Sequence, residues 1–479
     1  MKNIALSFFI LISISCFAQF SKTHYIPPIS AASNNIVNDH YIYISTPNTN
    51  NVNFKIIANG GAIISGVVSN SNPYIYSVGS GNNSQLFTPK NTIGKISNKG
   101  YTIEAEDLVY VSVRTNAGNG AHAGGLVSKG NSALGKLFRL GGMLNPNVDG
   151  SLMNFASILA TENNTKVTLS NFAVGTIFTD GTVYTVPIVV TLNKNESYVV
   201  GLENYTGNNF PPNSSKMIGA LVESDKSVVV NSGSFGGSNS TSTSGRDVGF
   251  DQIVAFDKTG SEYIFVKGIG ADDLERVLLI AQIPNTDIYL NGSPTPYTTL
   301  ANPGDYVVID GSQFSNGNLY AKTSQNVFAY QSIGGSASPA NQNLFFVPPL
   351  NCATPNSVDN IPMIELVGSK LFVGGLNIVT ETGSVVKING VTATGSVAIT
   401  GNPGFERYTI NNLSGNVSVK STKQVYVSYF GTNGAATYGG YYSGFDLKPE
   451  VVSDKISVVN SSCIPNVVLK INTLSSYDT

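Results

Sequence analysis

Two stretches hold the residues whose types and spacing could do chemistry. GRDVGFDQ (245–252) sets Asp247 and Asp251 on either side of a short Val-Gly-Phe segment. Two carboxylates so placed can hold a cation or share the hydroxyls of a sugar. The same pair can instead cap a turn and satisfy backbone N–H groups at a strand start, a common use of aspartate. YGGYYSGF (438–445) offers Tyr438, Tyr441 and Tyr442. Tyrosines stack on sugar faces and anchor protein partners at low entropic cost; they also pack one strand against its neighbour. These five side chains are the candidate ligand contacts.

Enzymatic chemistry finds little else to use. His24, His40 and His122 are far apart, and there is no His pair at i,i+4 and no Cys-x-x-Cys, so no metal site is expected. No G-x-S-x-G or Cys/His signature supplies a nucleophile with its base. NPNVDG (145–150) begins like a calcium loop, but its twelfth position is Ala156, where a bidentate Glu is needed. Asp272, Asp273 and Glu275 read as a solvated acidic loop. The Gly-rich stretches 117–125 and 233–245 lack the Lys-Ser/Thr of a phosphate loop. They read as loops at strand ends, where all-β scaffolds bind ligands. No catalytic residue and no cofactor is expected.

The elements that must position these residues are strands. Charged residues make up only 12% of the 479, while Gly (49), Tyr (23) and Phe (23) are plentiful and Trp is absent. That is the composition of an all-β chain with many turns. Lys and Arg total 27 against 29 for Asp and Glu, with no basic stripe, which argues against nucleic acid as a partner. Lys2, the apolar run 4–17 and Cys16-Phe17-Ala18 read as a signal peptide cleaved after Ala18. No later stretch is apolar enough to cross a membrane as a helix. Cys352 and Cys463 then remain, and in an exported protein two alternatives stay open: a disulfide tying the C-terminal tail to the body, or two free thiols.

The chain repeats itself. LVESDKSVVVNSGSFGG (221–237) has a polar Asp225-Lys226-Ser227 between two strand-like runs and reads as a hairpin. The pattern returns around Asp107, around Gln325-Asn326 and around Lys423-Gln424. A second piece precedes it each time: YISTPNTNNVNFKI (43–56), ILATENNTKVTLSN (158–171), LLIAQIPNTDIYLNG (278–292) and NIVTETGSVVKING (377–390). Between the pieces stand Tyr101, Tyr198, Tyr306 and Tyr408. Four all-β copies follow, at about 41–142, 154–270, 276–368 and 370–450, leaving a C-terminal segment 451–479 that could begin a further domain. Each copy holds seven or eight short strands. Two four-stranded blades per copy would close a β-propeller; one two-sheet β-sandwich per copy would make a tandem array.

The ordered series LATE-NNT-VTL, SY-V, V-SDKSVVV-SGS, GRDVGFDQIVAF (245–256) and SEYIFV (261–266) resembles the IgGFc-binding protein N-terminal domain family. AGGLVSKGNSALGKLFRLGG (123–142) resembles a segment of its bacterial members, and HYIPPIS (24–30) their mature N-terminus. The similarity runs over about residues 24–450. It implies a large exported surface protein of the gliding-motility-associated type, a group that commonly ends in a type IX secretion sorting domain. None is read before Thr479, so the expectation is a fragment or another export route. The resemblance assigns no role to Asp247 or Asp251 and does not by itself imply antibody binding. The function expected is a secreted or cell-surface binding or adhesion module for a glycan or protein ligand. A structural spacer and a carbohydrate-active enzyme are the alternatives.

Overall fold

The computed structural model describes every residue except 1–18, 32–35, 147–152, 203–212, 214, 241–245, 335–341, 352, 446–449, 458–465 and 473–479. The signal peptide, Cys352 and Cys463 therefore lie outside the described residues. No helix among the described residues is long and apolar enough to cross a membrane.

The chain is all-β, and its pairings fall into four sets of one order. Each set is built on one long strand: Tyr101–Ala117, Leu221–Gly237, Asn318–Gly334, and in the fourth the split pair Val417–Ser421 and Val425–Asn433. The first half of the long strand belongs to an outer sheet. In the second unit it pairs with Thr165–Ser170 on one side and Gly135–Arg139 on the other. The second half belongs to an inner sheet, between Met153–Ala160 and Asp247–Ile253. Each unit is thus a two-sheet sandwich whose sheets share one strand.

The 221–237 stretch is therefore not a hairpin. Asp225-Lys226-Ser227 is a kink at which a continuous strand leaves one sheet for the other. None of the three has the positive φ that a tight hairpin turn demands. Ser224 Oγ donates to Lys226 O across the kink, and Thr323 Oγ1 donates to Gln325 O at the matching point of the third unit.

Outer-sheet strands alternate buried and solvent-facing residues, as in Val52–Ala58 and Thr165–Ser170. Inner-sheet strands such as Met153–Ala160 and Asp247–Ile253 are buried on both faces. One face meets the unit's own outer sheet and the other meets neighbouring units. This double coverage explains the unbroken Val228-Val229-Val230 run. The turn after the first inner strand is built alike in the second, third and fourth units. Asn164, Asn285 and Gly383 adopt φ of 54, 55 and 79°, and the next residue's hydroxyl (Thr165, Thr286, Ser384) donates to the carbonyl three residues back.

The copy boundaries drawn from the sequence are shifted by one strand. Gly135–Arg139, Gly260–Val266 and Ser357–Ile361 each pair with the long strand of the following unit. The tyrosine series is also corrected at its first member. Tyr198 faces Ile158 and Tyr408 faces Ile378 in the inner sheets, and the residue facing Ile44 is Tyr74. Tyr101 instead opens the long strand.

One strand from each unit reaches a common centre: His122–Val127, Asp247–Ile253, Gln342–Phe346 and Ala436–Tyr441. The first packs on the second and fourth, and the third also packs on the second and fourth, so the ring closes. The body is propeller-like about this axis and sandwich-like within each unit. Apolar clusters run across the unit boundaries. Val248 and Phe250 of the second unit join Val113 and Leu126 of the first, and Phe445 stacks on Phe346 at 5.8 Å. Beyond the ring, Glu450–Ser457 pairs with Asn466–Asn472.

Candidate functional site

The candidate carboxylates sit on the axis. Asp247 opens the second unit's axial strand and is fully buried. Its Oδ1 accepts from Ala123 N and Val248 N, both at 2.8 Å, and its Oδ2 accepts from Thr437 N at 2.7 Å. One carboxylate thus holds the first, second and fourth units together. Asp251 lies four residues on and is 1% exposed. Its Oδ1 accepts from Gln252 N at 2.8 Å and meets Lys129 Nζ at 2.9 Å, while its Oδ2 accepts from Phe346 N at 2.9 Å. That joins the first, second and third units. Burial pushes the Asp251 carboxyl up and the Lys129 ammonium down, and the contact between them pulls both back. The backbones come close enough here that a Cβ at Gly124 would lie 2.5 Å from Val248 O.

This placement does not present Asp247 and Asp251 as ligand contacts: both are buried and accept from N–H groups of their own strand and of neighbouring units, and Asp251 also pairs with Lys129. Satisfying backbone groups, the alternative weighed for them, matches these bonds.

The candidate tyrosines are buried as well. Tyr438, Tyr441 and Tyr442 are at most 4% exposed. Tyr438 donates to Ile364 O at 2.7 Å and Tyr442 to Ser112 Oγ at 3.0 Å, while the Tyr441 ring sits 6.0 Å from that of Phe345. Burial pushes all three phenols up. Tyr438 surrounds a residue not singled out in the sequence, Arg114 of the first unit. The Arg114 guanidinium is fully buried, 4.1 Å from the Tyr43 ring centre and 5.4 Å from that of Tyr438. It donates to Met363 O, Leu366 O and Pro362 O of the fourth unit. Arg114 and the tyrosines close the ring where its ends meet.

Other expected features are also structural. Glu275 is not part of a solvated loop. It is buried, accepts from Gly268 N, Gly270 N and Gly334 N, and burial raises its carboxyl to about 7. Asn145 is buried and binds Asn154 Oδ1 and Ser238 N, and the rest of its loop is outside the described residues. Among the described residues no three His, Cys, Asp or Glu side chains gather to hold a metal.

Ligand-sized space lies on the periphery. The second unit's connection between Thr165–Ser170 and Ile188–Leu192 is much longer than its counterparts. Phe172, Phe178 and Tyr184 pack within it at 5.1 Å. With Tyr198 and Val186, Phe178 and Tyr184 line a cleft of about 340 Å³. A second depression, of about 510 Å³, is polar and lies between the first and fourth units, lined by Asn70, Asp359, Asn360, Asn389, Asn416 and Lys420. These residues come from four separate parts of the sequence, and no local pattern marks them.

No curated protein matches this chain. A sequence model of the family described as IgGFc binding protein matches residues 124–431. The match begins in the first axial strand and ends in the last long strand, so it takes in the second and third units, most of the fourth, and well over half the chain. With the ordered motifs already quoted, it shows that this chain belongs to the IgGFc binding protein family.

Proposed function

We propose that the chain is an exported, non-enzymatic binding module that engages a protein or glycan ligand through its periphery, at a cell surface or after release. The observation that carries this is the family match over residues 124–431. The axis supports it, since its carboxylates, cations and tyrosines are bonded to one another and to backbone. The second unit's outer connection is much longer than its counterparts, and loops held on a rigid frame are where such folds bind. The family's description makes an antibody Fc fragment one protein ligand to try first.

The test presents the purified chain to three probes: immobilised IgG Fc fragment, an array of oligosaccharides, and a panel of soluble polysaccharides assayed for released reducing ends. Saturable binding to either of the first two without turnover is expected. Released reducing ends would replace the binding reading with a carbohydrate-active enzyme, and silence with all three would leave a spacer.

A further inference from the structure

The junctions between units differ in how they are sealed. Between the second and third units Gly219 lies against Gly304, where a Cβ would come within 2.1 Å of the Gly304 carbonyl oxygen. Between the third and fourth, Gly401 lies against Asn291 and Gly292 equally closely. Between the fourth and first, the part near the axis is packed, with Gly368 against the Tyr41 ring. Farther out the same junction opens into the polar groove of about 510 Å³. Ser45 Oγ donates to Asn360 O at 2.8 Å, and Asn360 Nδ2 donates to Asn70 O at 2.7 Å. The groove thus exists only because the ring closes.

Its amides are held in fixed orientations. Asn70 Nδ2 donates to Thr46 O, Asn360 Nδ2 to Asn70 O, and Asn416 Oδ1 accepts from Met363 N. That leaves Asn360 Oδ1 as an acceptor and Asn416 Nδ2 as a donor. Asn360 is 2% exposed, lines the groove, and its Oδ1 has no hydrogen-bond partner. A buried amide oxygen without a donor is under-satisfied, and a ligand hydroxyl that reached it would complete its bonding. Asp359 and Lys420 stand 3.9 Å apart at the rim, so neither sign of charge dominates. Pro47 and Val417 are the only apolar side chains in the lining.

We propose that this groove binds a neutral, hydroxyl-rich ligand, a short stretch of glycan. Hydroxyls both donate and accept, which matches pre-oriented amides alternating between the two roles, and the volume is within the range of small-ligand sites. An anionic ligand would meet Asp359, and an apolar peptide would meet a mostly polar lining.

This rests on the binding-module reading, and the experiment separates the two. The full chain is applied to an array of neutral hexose and N-acetylhexosamine oligosaccharides and, in parallel, to IgG Fc fragment. Variants Thr49→Trp, Asp359→Ala and Lys420→Ala alter the groove. Ile63→Ser, on an exposed strand of the first unit away from the groove, is the control. The expected result is glycan binding weakened about tenfold by each groove variant, the value of one charge-assisted hydrogen bond or of a blocked site. Ile63→Ser should bind as the parent does. Lys420 is 71% exposed, so its truncation reports on the groove without threatening the fold. Glycan binding unchanged in all three groove variants overturns the groove and leaves the binding module standing. Binding to the Fc fragment but to no glycan does the same. Binding to neither overturns both.

Discussion

The buried ionic and aromatic groups of the axis make sharp demands on single side chains. Asp251→Ala would leave the Lys129 ammonium buried and unpaired, and should cost about 3–5 kcal/mol. Replacing both with Met and Leu should recover most of that loss, because the pair's own desolvation is removed with it. Chemical denaturation of the two variants checks this. Equal losses in the single and double variants would show that the pair is not the source. For the same reason Tyr442→Ala should lower stability by about 3–5 kcal/mol, whatever ligand is present.

Titration gives a second residue-scale expectation. His24 and His40 are buried, and burial lowers both to about 4 from 6.5. Their folded values lie below the unfolded one, so the neutral rings contribute stability that is fully present above pH 6.5 and lost as pH falls toward 4. Each loss is on the order of 3 kcal/mol. Glu275 acts with the opposite sign. Its value rises from 4.5 to about 7, so it favours folding below pH 4.5 and loses that contribution as pH rises to 7. Melting temperature against pH should therefore fall on the acid side. His40→Gln should flatten that fall, and Glu275→Gln should flatten the opposing slope between pH 4.5 and 7. Curves parallel to the parent's would contradict the assignment.

At the scale of elements, the recurring device is the turn after the first inner strand of the second, third and fourth units. Asn164 and Asn285 hold left-handed backbone that glycine takes freely, as Gly383 does in the fourth unit. Asn164→Gly should be close to neutral, and Asn164→Ala should cost about 1 kcal/mol, measured by urea midpoint. An alanine as stable as the parent would mean the turn is not held there. These turns were legible in the sequence because Asn-Thr and Gly-Ser in those places have a local mechanism. The kink at Asp225-Lys226-Ser227 was misread as a hairpin because polar residues mark exposure whether the chain reverses or only bends. The missing signal was in plain view: no Gly or Asn stood there to supply positive φ.

For the whole molecule, closure about the axis predicts a compact particle. Small-angle scattering should give a radius of gyration of about 23 Å for one body of this length, and an extended array of four units would give far more. Because the apolar clusters cross every junction, unfolding should follow one transition, and Asp247→Ala should lower it as a whole. Separate transitions for separate units would show that the junctions are weak.

The sequence by itself determined the all-β class, the fourfold recurrence and the family, because strand patterning, turn chemistry and motif order are local. It also marked Asp247, Asp251, Tyr438, Tyr441 and Tyr442 as unusual. Only the tertiary structure decided what they do. A strand covered on both faces shows no alternation, so Tyr438 and Arg114 carry no local sign of being interior. A carboxylate that will bond to three units looks, in sequence, like one that will bond to a ligand. The polar groove was invisible for the same reason: Asn70 joins Asn360 and Asn416 only when the last unit closes against the first.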